Sequence, residues 1–299
     1  ITTKWGPMKG KAGDWLANTL ADLGRRDEAL ALHEQTYWAM LARWGRKHEQ
    51  TLIAELNLAQ EYLAHERVEE ALSLARENLE VRREVFGQRD PRCLNALGVL
   101  GQFLWSAGRF EQAEPLLRQA YEIGREVQGE NHVMTLTRCA MLANALTELG
   151  QLERAEELYR SAVERGVRVL GDGHLEVCAW KHNLAAVLER QGELAAAEAL
   201  YREVLDLQVR SLGEQHENTL IVLRSLARVV TNQRRFAEAQ PLLGRLLELT
   251  QAALGPDDRA TLDVRHDLGF VLANRGAVEG ALPHLRECVE RASQSPAGD

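Results

Sequence analysis

The stretch Leu142-Ala143-Asn144-Ala145-Leu146-Thr147-Glu148-Leu149-Gly150-Gln151-Leu152-Glu153-Arg154-Ala155 decides the fold, because its punctuation recurs along the whole chain. Stepping outward from it by 42 residues, leucine stands at 16, 58, 100, 142, 184, 226 and 268, and alanine at 29, 71, 113, 155, 197, 239 and 281. The residue after each leucine is small: Ala17, Ala59, Gly101, Ala143, Ala185, Ala227 and Gly269. A fixed period of this length marks an array of repeated supersecondary units. Small residues in register on two successive segments are what two helices need where their backbones cross closely.

Two further series divide each unit. Gly45, Gly87, Gly129, Gly171, Gly213 and Gly255 end one segment, and Gly24, Glu66, Gly108, Gly150, Gly192, Arg234 and Gly276 mark a turn within it. The spacing predicts a first helix of about 16 residues, such as His132 to Leu149, and a second of about 18, such as Leu152 to Leu170. Ala155, Leu158, Tyr159, Ala162 and Val163 give the second helix an apolar stripe. Pro115, Pro241 and Pro283 share one register and are expected in its first turn, where a missing N–H is harmless. The turn between units also repeats, as Gly129-Glu-Asn-His132-Val-Met-Thr135-Leu136 and Gly213-Glu-Gln-His216-Glu-Asn-Thr219-Leu220. His48, His132, His174 and His216 stand one repeat apart, too far for shared metal coordination at about 2 Å, so they read as turn-packing or capping groups.

The combination of a leucine-small pair, a glycine and an alanine, as in Leu142-Ala143, Gly150 and Ala155, resembles the tetratricopeptide repeat. With the G-x-x-H-x-x-T-L turn it is similar to the long variant of kinesin light chains. HEAT and armadillo units have a comparable period, and the glycine-to-alanine spacing separates them. The resemblance implies an all-α fold, a right-handed superhelical solenoid of about seven antiparallel helix pairs. Residues 1–10 read as an N-terminal extension, 11–292 as seven repeats and 293–299 as a tail. It also implies that the first helices line a concave groove that holds a peptide or partner protein.

Composition narrows the function further. The 299 residues carry 44 acidic and 36 basic side chains, a formal charge of −8, which excludes a generic nucleic-acid surface. The longest charge-free stretch, Cys93 to Gly108, is too short to span a membrane. Cys93, Cys139, Cys178 and Cys288 are far apart and read as small hydrophobes of a reducing, cytoplasmic protein. No Walker A loop, G-x-S-x-G elbow or H-E-x-x-H is present, so neither catalytic residues, nor a cofactor, nor a metal site is expected and the chain reads as non-enzymatic.

The groove positions that the resemblance assigns begin at Lys11, Asp14, Asn18 and Asp22 and include Leu56, Gly98 and Ala140. The candidates for partner contact are Asn57, Gln60, Gln102, Trp105, Asn144, His182, Asn183, Arg190, Arg224, Arg228, Asn232 and His266. Asn57 and Asn183 match the position from which the family's asparagine clamps a peptide backbone; Val99, Met141, Ser225 and Asp267 depart from it. Arg190, Arg224 and Arg228 suit an acidic segment, since guanidinium forks bind carboxylates bidentately. The competing reading pairs them with Glu189 and Asp263 as a solvated face. Trp105 is a candidate anchor, Trp15 shares the register of Asn57, and Trp5 has no assigned place; Trp38 and Trp44 are expected in the core. Two other function classes stay open: a sensor segment of a larger signalling ATPase or kinase, and a self-associating module joined through terminal repeats. Leu282, Leu285 and Val289 on the last helix motivate both.

Overall fold

The computed structural model describes residues 16, 19–20 and 23–294, with the side chains of 292–294 excepted. The groove positions Lys11, Asp14, Asn18 and Asp22, Trp5 and Trp15, the extension 1–10, and residues 295–299 of the tail lie outside the described residues. Among those described there are thirteen helices and no strand: α1 (Arg26–Trp44), α2 (Glu49–Ala64), α3 (Val68–Phe86), α4 (Pro91–Ser106), α5 (Phe110–Gln128), α6 (Val133–Glu148), α7 (Leu152–Leu170), α8 (Leu175–Gln191), α9 (Leu194–Leu212), α10 (Glu217–Asn232), α11 (Phe236–Leu254), α12 (Arg259–Asn274) and α13 (Val278–Gln294). Even-numbered helices are the first of each repeat and odd-numbered ones the second. The chain divides into two compact units, residues 1–151 and 152–299. Within each, consecutive helices pack on one another, as a tetratricopeptide solenoid requires.

Local chemistry sets where the helices start. His48, His132, His174 and His216 each accept, at Nδ1, the N–H two residues on at 3.2 Å, and Asp90 and Asp258 do the same at 2.8 Å. Every described first helix is thus N-capped by a side chain, which satisfies one of its orphan donors. The turn before each second helix needs a left-handed residue. Gly108 and Gly150 supply it, whereas Glu66 (φ 60°) and Arg234 (φ 59°) adopt it against the steric cost that a Cβ carries there.

Close crossing explains the small-residue series. Ala71, Ala113, Ala155, Ala197 and Ala239 are all fully buried. A Cβ at Gly101 would meet Leu117 Cδ2 at 2.6 Å, and one at Gly269 would meet Leu285 Cδ2 at 2.7 Å, so glycine appears where the facing helix brings a leucine. A second pairing joins a second helix to the following first helix fourteen residues on in sequence, as at Gly124 with Arg138 and Gly166 with Trp180. At these two and at the equivalent Met40 with Ala54 and Arg82 with Ala96 one member is large and the other small, whereas Gln208 with Val222 and Thr250 with Val264 are both of middle size. Above Gly166 a Cβ would lie 2.6 Å from Trp180 Cζ3, while above Gly124 its nearest neighbour would be the end of the flexible Arg138 side chain at 3.2 Å, with Thr135 Oγ1 at an ordinary 3.5 Å.

Two expectations need correction. Pro115, Pro241 and Pro283 are each the sixth residue of their helix, inside α5, α11 and α13 and beyond the first turn. All three prolines are exposed, so the carbonyls that lose a partner face water. Trp38 is 61% exposed and not core. Its register is held in the other repeats by Glu80, Glu122, Glu164, Asp206, Glu248 and Glu290, which marks the solvent side of the second helix. Trp44 is half-buried and stacks on His48 with centroids 4.7 Å apart. Cys93, Cys139 and Cys178 are buried as expected and Cys288 is half-buried.

Gly166→Ala should destabilise the protein by roughly 1–3 kcal/mol through overpacking on the rigid indole. Gly124→Ala should be neutral or stabilise by up to about 1 kcal/mol through helix propensity. Denaturation midpoints of the two variants decide this, and equal midpoints would refute the reciprocal packing. His132→Ala should cost roughly 1 kcal/mol as a lost cap, whereas His132→Asp should not, as thermal melts of the three proteins would read out.

Candidate interaction surface

The faces of the first helices that no second helix covers are the candidate site. In the first unit these faces belong to α2, α4 and α6. Leu56, Gly98 and Ala140, assigned to the groove from sequence, are buried there, although a Cβ at Gly98 would meet nothing within 4 Å. Gln60 and Gln102 are exposed and Asn57 and Asn144 half-buried. Trp105 is also half-buried and leans on Phe110 with ring centroids 6.5 Å apart. Its indole Nε1 is buried and has no hydrogen-bond partner among the described residues. The tryptophan therefore packs within its own repeat more than it projects outward.

In the second unit the faces of α8, α10 and α12 carry the charge. Arg190, Arg224, Arg228, Asn232 and His266 are exposed, and His182 and Asn183 are half-buried. Carboxylates lace these helices together. Glu189 on α8 accepts from Arg228 at 3.0 Å and Asn232 at 3.1 Å, both on α10, and from Tyr201 of α9 at 3.4 Å. Arg224 reaches Asp263 of α12 at 3.2 Å. The sequence alternative that pairs these arginines with Glu189 and Asp263 is the arrangement that the structure holds. Burial and the nearby Glu189 carboxylate push the Tyr201 hydroxyl up to about 12.

His182 joins this cluster. Its Nε2 stands 3.1 Å from Ser225 Oγ, its Nδ1 3.4 Å from Asn183 Oδ1, and its ring 5.3 Å from that of Tyr201. Burial lowers its imidazole below the ordinary histidine range; the contact with Asn183 opposes this and the Arg228 charge adds to it. Asp263, Asp267 and His266 form the next patch, where burial raises the Asp267 carboxyl against the pull of Arg224.

Several interior polar groups escaped the sequence reading. Glu55 is fully buried, and Asn78 at 2.7 Å, Arg46 at 3.2 Å and Tyr37 at 3.3 Å all donate to it. Burial nonetheless raises its carboxyl, and these hydrogen bonds oppose the shift. Lys181 pairs with Asp172 and with Glu203 at 2.6 Å, and Arg265 pairs with Glu287. Burial works to lower the Lys181 ammonium, but its two carboxylate partners hold it above its ordinary value. The signal was present: these three charges share a register that Leu97, Cys139 and Leu223 fill elsewhere.

A titration of native stability tests the His182 environment. Because the folded imidazole is lowered, the unfolded chain takes up the proton first, so this contribution is intact above about 6.5 and declines as pH falls below it. His182→Gln should lose less stability than the wild type between pH 8 and pH 5. Identical losses would show that His182 is not held neutral.

Comparison with known proteins agrees with this architecture. Tetratricopeptide-repeat models match residues 62–126, 92–166, 134–208 and 176–243, and a second such model matches 16–37 and 261–294. No curated protein matches the chain. A Podosopora anserina kinesin-light-chain protein with nearly identical TPR-like repeats is 25% identical, with a TM-score of 0.62 over 68% of this chain and 95% of its own. BtubC (BKLC) from P. vanneervenii is 21% identical, with a TM-score of 0.66 over 78% of this chain and 94% of its own. A signal transduction ATPase with numerous domains from Pyrococcus horikoshii, which has a tetratricopeptide repeat sensor, is 11% identical with a TM-score of 0.73 over 97% of this chain and 43% of its own.

Proposed function

Because the chain belongs to the tetratricopeptide repeat family, we propose that it is an interaction scaffold that binds a peptide or partner protein along the first-helix faces of α8, α10 and α12. The observation that carries this reading is the row of exposed donors on these faces, with Arg224 paired to the solvent-reachable Asp263 and Arg228, itself exposed, to Glu189. An acidic segment can exchange for Asp263 on Arg224, because exposed ion pairs contribute only about 0–1 kcal/mol and bidentate guanidinium contacts offset their loss. Asn232 and Asn183 offer amides that donate and accept, which suits the backbone of an extended ligand. The protein then works in the cytoplasm, without catalytic activity, cofactor or metal.

A second reading makes the chain the sensing segment of a larger signalling protein. The sensor-bearing ATPase from Pyrococcus horikoshii favours it, since nearly the whole of this chain aligns with less than half of that one. A self-associating module is a third class, favoured by Leu282 (43% exposed) and Val289 (71% exposed) on α13.

Charge reversal of Arg190, Arg224 and Arg228 to Glu tests the first reading. Peptides selected from a displayed random library on the wild-type protein should be rich in Asp and Glu. They should bind the triple variant at least tenfold more weakly at physiological salt, and binding that ignores both the substitutions and the salt would overturn it.

A further inference from the structure

Along the second helices one position is acidic and pairs with an arginine four residues on: Glu114 with Arg118 in α5, Glu156 with Arg160 at 2.7 Å in α7, and Glu198 with Arg202 at 2.7 Å in α9. In α11 both partners are replaced together, by Gln240 and Gly244. The donors that reach this position from the end of the next first helix are kept. Gln191 donates to Glu156 at 3.0 Å and Gln233 to Glu198 at 2.8 Å. At the same register Arg275 follows α12, and it donates to the side-chain oxygen of Gln240. Two glutamines thus face glutamates, whereas here an arginine faces a glutamine, and among the described residues no carboxylate reaches its guanidinium.

The exchange opens space. A Cβ at Gly244 would meet nothing within 4 Å, and a cleft of about 520 Å³ lies there between α11, the end of α12 and α13. Its floor is the buried Leu268 and Leu272. Its far wall is His284, at a register that leucine fills in each of the six preceding second helices. His284 Nδ1 is buried with no hydrogen-bond partner among the described residues. The cleft is set among second helices and contains none of the groups assigned above to partner binding.

Charge and hydrogen-bonding capacity define what fits. Arg245 and Glu248 also border the cleft, but they pair with each other at 3.0 Å and Arg245 pairs with Glu214 as well. Arg275 is left as the wall charge without an opposite partner among the described residues. Gln240 accepts with its oxygen, which leaves its amide N–H groups to donate. Burial lowers the His284 imidazole, the Arg265 charge adds to this and Glu287 opposes it, so the ring takes up a proton more readily once an anion stands beside it.

We propose that this cleft is a binding site for one carboxylate group from outside the chain, which takes the place that Glu114, Glu156 and Glu198 hold in their own repeats. Arg275 and the Gln240 amide donate to it, and the missing side chain at Gly244 leaves room for its stem. A free dicarboxylic acid and an acidic side chain of another protein share this chemistry. The site stands apart from the scaffold reading, and neither depends on the other.

The test follows the His284 imidazole resonances by NMR while glutarate is added at constant ionic strength. In the wild type they should move saturably, with a midpoint at tens of millimolar or below, and neutral glutaramide should not move them. The titration midpoint of His284 should rise in the presence of glutarate, because a neighbouring carboxylate favours the imidazolium. Gln240→Glu supplies the carboxylate from within, as Glu198 does, and Arg275→Gln copies Gln233. Each should weaken glutarate binding at least tenfold, and Gln240→Glu should melt no lower than the wild type. Charge reversal of Arg190, Arg224 and Arg228 should leave the response unchanged. Resonances that stay still in the wild type, that move equally in either single variant, or that stop moving in the triple reversal would overturn the site. N-acetylglutamate N-methylamide separates the two sources: a response to it supports a site open to a protein side chain, and a response to glutarate alone supports a site for a free acid.

Discussion

Everything in this structure depends on how closely two helices may approach at one point in each repeat. Alanine or glycine at that point removes the side chain that would hold the backbones apart, and the fully buried Ala71, Ala113, Ala197 and Ala239 mark the contact on the second helix. Close approach brings neighbouring side chains into range, so each remaining position must be chosen against the one it faces. Gly101 beneath Leu117 and Gly166 beneath Trp180 are the same solution at different interfaces. Interiors packed to this density do not stretch, so the repeat length cannot drift, and the strict 42-residue register is the imprint of that constraint.

The register also explains which parts of the fold were legible in the sequence. Helix number, helix bounds and turns follow from positions that tolerate few residue types, and the 16-residue α6 and 19-residue α7 fall where the spacing put them. Trp38 was misplaced because residue type was weighed over register: six acidic residues at the equivalent positions mark that face as solvated. The three prolines were misplaced within helices whose start was read correctly: with the first residue at the register of Leu152, they fall at the sixth, one turn too far in. Glu55, Lys181 and Arg265 were missed because a buried charge is only intelligible with its partners, and those come from the next helix.

The interaction surface was legible as a list of positions but not as a set of states. Sequence places Arg224 and Arg228 on one face and offers Glu189 and Asp263 as partners against an acidic ligand; the structure decides for the pairs, Arg224 with Asp263 and Arg228 with Glu189. In the first unit the register of Arg224 is held by the buried Leu56, Gly98 and Ala140 and that of Arg228 by Gln60, Gln102 and Asn144, so equivalent positions do unlike work in the two halves. A repeat array allows this, because each unit answers mainly to its neighbours and can change its outer face without disturbing the stack.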